Sequence, residues 1–547
     1  MPEISVLIGG QAGDGIKQAG NAIARLFNRM GYYSFVYEDY PSLIRGGHNF
    51  AIIRASSEKI TAHKDKIDVL IALNKETVEK HEWRLKNGFI LFDSDTVKAE
   101  GIGVPMNSII KELELPHIVR NTVSLGALGK ALGIEFDVIE DVIRKTIKKK
   151  TEENIEAAKK GYELSEEKMK IEKLDSPARP LLTGNEAISL GLVKGGMKLY
   201  IAYPMTPASS ILHFLAAHSE ELKIRTVHPE TEIAVIGMAQ GASFAGIRSA
   251  VGTSGGGFAL MVEHLSLSGQ AEIPIVIVLS QRPAPATGVP TYTAQSDLFF
   301  AMFSGHGEFA RAVIAPGDAE EAFYLSAEAM NLAWKFQIPV ILLADKHLSE
   351  STFVTEVDEN IPIEIPKLWE GEGEYKRYSF TEEGVSPLAF PGNEKAIVKA
   401  NSYEHDEYGI TTENPELVAK GHEKRIRKMH ALKEHLRTKQ TVKVYGNEES
   451  ETVVITWGSS KGAVVEACKN LGLKVVQPLY LMPLPVSEIK KHVNGKRVIT
   501  AEINSTGQLA LWLNWNGIKV EHKILKYDGR PFTVDWLEEE LKKILKV

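Results

Sequence analysis

Two spacings of apolar residues alternate along this chain. Short continuous apolar runs read as strands buried on both faces, and stretches with apolar residues every third or fourth position read as amphipathic helices. Residues 4–8 form the first run and lead through Gly9-Gly10-Gln11-Ala12-Gly13-Asp14-Gly15 into a helix set by Ile16, Ala19, Ile23, Leu26, Phe27 and Met30. Further strands are predicted at 33–37, 51–54, 68–73 and 89–92, with a helical tail over 122–150. This is a βαβ start with a glycine-rich first turn, and residues 1–175 make one α/β domain. The charge-dense stretch 148–173 predicts a helix, and Ser176-Pro177-Ala178-Arg179-Pro180 a linker. A second α/β domain spans 181–356, with strands at 199–202, 249–253, 275–279, 312–314 and 339–343. Its helices fall at 209–217, 232–244, 258–268 and 319–336. Apolar periodicity fades over 357–440, a connector that ends in a basic helix at 421–439. A third α/β domain, 441–547, has strands at 452–456, 474–477 and 497–500.

Composition narrows the classes. The 547 residues are 44% hydrophobic and 25% charged, ordinary for a globular protein. A net charge of −7 gives nucleic-acid binding no support. The single cysteine, Cys468, excludes an internal disulfide and any cysteine-ligated zinc or iron–sulfur site built by this chain alone. No apolar run approaches the ~20 residues of a membrane span, so the expected compartment is the cytoplasm.

Candidate chemistry gathers where strands end. Tyr203-Pro204-Met205-Thr206-Pro207 breaks the strand at 199–202, and Ala208-Ser209-Ser210 opens a helix whose free N–H groups suit an anion. Glu232 opens the next apolar helix, either as its cap or as a working acid. Ser254-Gly255-Gly256-Gly257 permits close backbone approach by a ligand or a neighbouring chain. Gln281-Arg282 follows the strand at 275–279, and Arg282 suits either a substrate carboxylate or an interdomain salt bridge. The Gly9–Gly15 loop departs from a dinucleotide fingerprint, because Asp14 puts an acid where phosphate prefers none. Gly13-Asp14-Gly15 also fails as a thiamine diphosphate–magnesium motif, since no Asn follows at the right distance. Arg45-Gly46-Gly47-His48-Asn49 suits a phosphate or carboxylate, or is an ordinary surface loop. His306 between glycines reads first as a helix-end hydrogen bonder, and Glu404-His405-Asp406-Glu407 cannot all face one ion, so no metal site is expected.

Taken together, these motifs resemble one family. Tyr203-Pro204-Met205-Thr206-Pro207 with Ser209-Ser210 is similar to the YPITPSS signature of the 2-oxoacid:ferredoxin oxidoreductase α subunit, with Met205 in place of Ile. The helix from Glu232, the Gln281-Arg282 loop and His306-Gly307-Glu308 resemble that family in the same order. The first domain resembles its γ subunit, fused ahead of α, and residues 452–547, with Glu502, Asn504 and Gly507-Gln508-Leu509, resemble the transketolase C-terminal domain. The resemblance implies a Rossmann-like γ domain, a pyrimidine-binding domain of the thiamine diphosphate fold and a transketolase-type C-terminal domain. It implies CoA-dependent oxidative decarboxylation of a 2-oxoacid, 2-oxoglutarate or pyruvate, with electrons passing to ferredoxin. A β subunit would carry Mg²⁺, the 4Fe-4S cluster and most of the thiamine diphosphate contacts. Glu232 would hydrogen-bond the aminopyrimidine ring, Thr206 and Arg282 would hold the 2-oxoacid beside Tyr203, and Gly10, Gln11 or Arg45 would contact coenzyme A. Two alternatives stand beside it: the partner chain of another thiamine enzyme, of 2-oxoacid dehydrogenase or transketolase type, and a non-catalytic CoA- or nucleotide-binding assembly subunit.

Overall fold

The computed structural model describes residues 3–42 and 46–546. The chain forms two compact units. One holds the residues up to Thr183, together with Glu350–Glu356 and the residues from Phe532 on; the other holds Gly184–Ser349 and Val357–Pro531.

The first unit is built on an eight-stranded sheet in the order Gly101–Val104, Leu85–Asp93, Ile67–Ala72, Glu3–Gln11, His48–Ser56, Tyr33–Asp39, Thr352–Val354, Leu181–Thr183. The glycine loop leads from Glu3–Gln11 into the helix Ile16–Arg29, which buries Ile16, Ala19, Ile23, Leu26 and Phe27. The next strand in sequence, Tyr33–Asp39, is not its neighbour in the sheet: His48–Ser56 runs between the two, antiparallel to both. Gly15, at the helix start, has φ 71°, and a methyl group there would lie 2.7 Å from Ile118. Only glycine meets both demands cheaply. The helical tail is two helices, Arg120–Ala131 and Phe136–Thr146, followed by Thr151–Glu163 in the charge-dense stretch.

The second unit contains two sheets. A seven-stranded sheet runs Tyr480–Met482, Ala312–Ile314, Pro339–Asp345, Ile275–Gln281, Ser249–Thr253, Leu199–Ile201, Arg225–Val227. All its pairs are parallel except that of Tyr480–Met482 with Ala312–Ile314. The smaller sheet is Val442–Gly446, Lys474–Pro478, Thr452–Ile455, Arg497–Glu502, His522–Leu525. Within it, the buried Glu502 carboxylate accepts from the N–H groups of Leu509 (2.7 Å) and Ala510 (3.0 Å), which open the helix Gln508–Trp515. An internal carboxylate thus fills a helix start that could otherwise take an anion.

The connector packs onto its own unit. Its helix Pro415–Leu436 places Lys424 (2.6 Å) and Lys428 (2.5 Å) on the carboxylate of Glu272, all three side chains being buried. Arg377 donates to the Glu272 carbonyl at 2.7 Å. Glu272, with φ 52°, ends the helix Gly255–Ala271. The cations around it hold its carboxyl well below the usual range against the opposing effect of burial, while burial pushes Lys428 down to about 7.

Candidate functional site

Topology brings the chemistry-bearing loops of the second unit to one edge. The strands Arg225–Val227, Leu199–Ile201, Ser249–Thr253 and Ile275–Gln281 are adjacent and parallel, so their C-terminal ends lie side by side. The chain leaves Leu199–Ile201 towards one side of the sheet and later returns to its other side, the kind of reversal at which open α/β sheets bind ligands. Thr206 follows one of these strands, Glu232 another, Ser254 a third and Arg282 the fourth.

Glu232 is not the cap of its helix. Thr231 takes that place, its hydroxyl accepting from the Ala234 N–H at 3.3 Å. Glu232 is only 5% exposed, and its Oε1 is buried without a hydrogen-bond partner. A buried oxygen left without a hydrogen-bond partner costs about 1–3 kcal/mol of stability. Gly257 abuts it: a methyl group there would lie 2.6 Å from Glu232 Oε1 and would also meet Thr253 Oγ1. The Thr253 hydroxyl in turn contacts the Met205 sulfur at 3.9 Å. At Gly257 the close approach is made by the chain's own acid, while Gly256 has nothing within 4 Å.

Arg282 and Thr206 meet: the guanidinium donates to the Thr206 carbonyl at 2.7 Å. Burial lowers the Arg282 pKa. Among the described residues no acid pairs with Arg282. The salt-bridge reading of this residue lacks its partner, and the remaining guanidinium donors are open to another acceptor. Tyr203 is 39% exposed and lies edge-on to His228, with ring centroids 5.7 Å apart.

Sequence reasoning did not single out Ser254 or Asp297 as side chains of this edge. The Ser254 hydroxyl is buried without a partner beside the helix Gly255–Ala271. Asp297 Oδ2 is likewise unpartnered, close to Gly255, and burial pushes this carboxyl up to about 6. A single Asp in Gln295-Ser296-Asp297 carries no sequence signal of this; only tertiary contact isolates it. A carboxyl whose folded pKa lies above its ordinary 3.8 costs stability at pH above 6, and the cost fades as pH falls through 6 towards 4. Asp297→Asn is therefore expected to stabilise the chain by roughly 2 kcal/mol at pH 7.5, with the gap in melting temperature narrowing at pH 5. A variant no more stable than the parent at pH 7.5 contradicts this.

In the first unit, Asp14 turns inward. Its carboxylate accepts from the Gln11 N–H at 2.8 Å and from Arg120 at 2.9 Å, and Arg120 also reaches Asp93 at 3.1 Å. The acid that argued against an anion at this loop is thus turned inward onto a buried cation that it shares with Asp93. Gly10 packs on Asp14, a methyl there lying 2.6 Å from Oδ2, and Gln11 is exposed at the strand end. Arg45 lies outside the described residues. His48 and His81 share a 2.9 Å Nε2–Nε2 contact, both buried and both with lowered pKa values because of burial.

Other candidates are tied into structure. The His306 N–H donates to Ser266 at 2.8 Å, Glu308 faces His422 at 3.2 Å, Glu404 pairs with Arg425 at 2.8 Å and Glu407 with Lys376 at 2.9 Å. Among the described residues no group of three or more metal-capable side chains is found, and no helix is long and apolar enough to cross a membrane.

The parallel sheet carries two buried acids with an unpartnered oxygen at this edge, Glu232 and Asp297, and the family match over it gives the class: this unit is of the thiamine diphosphate-binding type. Residues 191–424 match the family described as pyruvate flavodoxin/ferredoxin oxidoreductase, thiamine diphosphate-binding, and residues 5–164 match pyruvate ferredoxin/flavodoxin oxidoreductase. The chain is 32% identical to the 2-oxoacid:ferredoxin oxidoreductase subunit alpha of a Sulfolobus species, over 99% of this chain and 97% of that one. It is 33% identical to the subunit of the same name from Saccharolobus solfataricus, over 99% and 98%. A solved structure, 2-oxoglutarate:ferredoxin oxidoreductase from Magnetococcus marinus with 2-oxoglutarate, coenzyme A and succinyl-CoA bound, superposes with a TM-score of 0.92 at 32% identity, covering 99% of each chain. The chain belongs to the alpha subunits of the 2-oxoacid:ferredoxin oxidoreductases, enzymes that oxidise a 2-oxoacid with an iron–sulfur protein as electron acceptor.

Proposed function

We propose that this chain supplies the pyrimidine half of a thiamine diphosphate site and that a β subunit supplies the diphosphate, its Mg²⁺ and an iron–sulfur cluster. One observation carries the reading: Glu232 Oε1, buried and unpartnered at the sheet edge, beside a glycine that leaves it room. Those residues fit an aminopyrimidine ring, whose nitrogen would hydrogen-bond to that oxygen. When bound, thiamine diphosphate supplies the electron sink for decarboxylation. The chain's own part is to hold a proton at Glu232 Oε1, in surroundings dry enough to strengthen the bond. Arg282 holds the carboxylate of the 2-oxoacid, and the Thr206 hydroxyl hydrogen-bonds it beside Tyr203.

Exposed apolar residues support a covering partner. Ile233 (51%) and Met238 (46%) lie on the helix that carries Glu232, and Leu260 (49%) lies on the helix Gly255–Ala271. Such exposed apolar side chains around a half-built site suit a subunit interface. One cysteine, the buried Cys468, cannot ligate a cluster, so the partner's cluster passes the electrons to ferredoxin. Coenzyme A takes the acyl group, with the Gly10-Gln11 loop and Arg45 of the first unit as its contacts. The near absence of cysteine suits a cytoplasmic enzyme.

Among 2-oxoacids, 2-oxoglutarate stands ahead of pyruvate, on the strength of the Magnetococcus enzyme's ligands at 32% identity. A substrate panel on the assembled complex tests this, and a kcat/KM for pyruvate above that for 2-oxoglutarate reverses the order. Arg282→Ala is expected to raise the KM for the 2-oxoacid about tenfold to a hundredfold while leaving that for coenzyme A within about twofold. Equal effects on both mark Arg282 as structural.

A further inference from the structure

The loop that follows Arg282 is held by a turn far along the same unit. Arg282 comes directly after the strand Ile275–Gln281. On its near side Gln281 is fully buried, its Nε2 donating to the Ala344 carbonyl at 3.0 Å and its Oε1 accepting from the Asp297 N–H at 2.9 Å. On its far side runs Pro283-Ala284-Pro285-Ala286-Thr287-Gly288-Val289, exposed from Ala284 to Val289. This loop closes on itself: the Val289 N–H donates to the Pro283 carbonyl at 3.1 Å, and the Tyr292 N–H to the Val289 carbonyl at 3.2 Å. Gly288 has φ 56°, and a methyl group there would lie 1.6 Å from the Pro283 carbonyl oxygen, so only glycine fits. A short exposed loop of this kind has little packing of its own to fix it.

The turn after the strand His522–Leu525 supplies the hold. Gly529 is buried, with φ 81°, and its carbonyl accepts from the Thr293 N–H at 3.0 Å. A methyl group on Gly529 would lie 3.3 Å from Tyr292 Cβ and 3.6 Å from Pro283 Cγ, so this one residue touches both ends of the loop. The Arg530 guanidinium lies over the Tyr292 ring, 3.6 Å from its centroid. The turn is itself braced. Asp528 accepts from the Arg530 N–H at 2.9 Å and pairs with Lys526, whose own N–H donates to the Glu502 carbonyl at 3.1 Å.

The packing of the smaller sheet on the larger one does not need this turn. Gln295 donates its N–H to the Ile503 carbonyl at 2.7 Å and its Nε2 to the Trp457 carbonyl at 2.9 Å, and its Oε1 accepts from the Ile503 N–H at 3.1 Å. Asn504 adds a bond to the Gln295 carbonyl at 3.1 Å. What Gly529 and Arg530 add falls on the loop from Pro283 to Thr293. A group that must meet a substrate carboxylate loses up to about a hundredfold in efficiency when it is displaced by roughly 1 Å. We infer that Gly529 and Arg530 are positioning residues for the 2-oxoacid: they fix Pro283 and Tyr292, and through them the direction in which Arg282 leaves its strand. They act through Arg282 rather than on the substrate. The inference rests on the reading of Arg282 as the holder of the 2-oxoacid carboxylate.

The test is steady-state kinetics of the assembled enzyme, varying 2-oxoglutarate and coenzyme A in turn. The variants are Arg530→Ala, Arg530→Lys, Tyr292→Leu, the double variant Arg530→Ala/Tyr292→Leu, and Arg282→Ala. Arg530→Ala is expected to raise the KM for 2-oxoglutarate about three- to tenfold, the size of one cation–aromatic contact. Both kcat and the KM for coenzyme A should stay within about twofold. Arg530→Lys should recover part of the loss, because an ammonium keeps the charge over the ring but not the flat stack. Tyr292→Leu should match Arg530→Ala, and the double variant should be no worse than either, since both remove the same contact. The proposal is overturned if Arg530→Ala leaves the KM for 2-oxoglutarate unchanged, or moves it together with that for coenzyme A, as a general loss of structure would. It is also overturned if the losses in Arg530→Ala and Tyr292→Leu multiply in the double variant. Arg282→Ala separates the two levels. If it raises the KM for 2-oxoglutarate and Arg530→Ala does not, the positioning inference alone fails. If Arg282→Ala has no effect, the reading of Arg282 fails and the inference with it.

Discussion

Replacing Glu232 by glutamine is expected to lower 2-oxoacid-dependent turnover of the assembled enzyme at least about a hundredfold without loss of stability. Both halves of that expectation come from one geometry. Thr231 caps the helix, so Glu232 is not needed to start it. Its Oε1 makes no hydrogen bond in the chain, so no internal contact is lost with the charge. Glutamine has nearly the same volume and is neutral at every pH, so the site need accommodate no charge. The melting temperature of the variant chain should therefore equal or exceed that of the parent. What glutamine cannot do is hold and pass the proton that a carboxyl group shares with a pyrimidine nitrogen. A structural acid would behave in the opposite way, with stability falling and turnover following only in proportion. Full turnover with a lowered melting temperature refutes the assignment.

Glu272→Gln is expected to cost about 3–5 kcal/mol, because it strands buried charges. Lys424 and Lys428 both end on this one carboxylate, each 2% exposed at the side chain, and burial has already lowered both of their pKa values. Without Glu272 the two ammonium groups face each other and Arg377 with no counter-charge, and the helix Pro415–Leu436 loses its anchor to the end of Gly255–Ala271. Urea denaturation of the parent and the variant measures the loss. The combination Glu272→Leu/Lys424→Met/Lys428→Met should recover most of it, since apolar groups of similar size can replace a buried ion cluster at little cost. A loss below about 1 kcal/mol in Glu272→Gln contradicts the account of how the connector is held.

Local signals carried much of the architecture. The helices Ser209–Ala217, Glu232–Phe244 and Ala319–Phe336 begin and end where the apolar spacing places them. Two of them have clear caps, Thr231 and Asp318. Strand pairing was less legible. His48–Ser56 slips between the first two strands, and the three-residue strands Leu181–Thr183 and Thr352–Val354 extend the first sheet from distant parts of the chain. Three residues carry too little pattern to announce a strand, and nothing local names the edge they join. The final helix, Val534–Leu545, likewise belongs to the first unit, where the Val534 N–H donates to the His63 carbonyl at 3.2 Å.

The candidate site divides the same way. Thr206 and Arg282 were legible because each follows a predicted strand, and parallel strands gather such ends on one edge. Glu232 stood out only as the opening of an apolar helix, its three-residue strand Arg225–Val227 being too short to predict. Ser254, Asp297 and the fit of Gly257 against Glu232 depend on packing between segments far apart in sequence. Asp14 shows the limit most clearly. Read locally it repels phosphate, but its carboxylate turns inward onto Arg120, 106 positions along the chain.

The central claim is that this chain holds half of an active site whose decisive group is Glu232. The most direct measurement is 2-oxoacid- and coenzyme A-dependent reduction of ferredoxin, by this chain alone and after addition of the β subunit. The account predicts no reduction by the chain alone and full, Glu232-dependent reduction by the pair. Full activity in the isolated chain would contradict it.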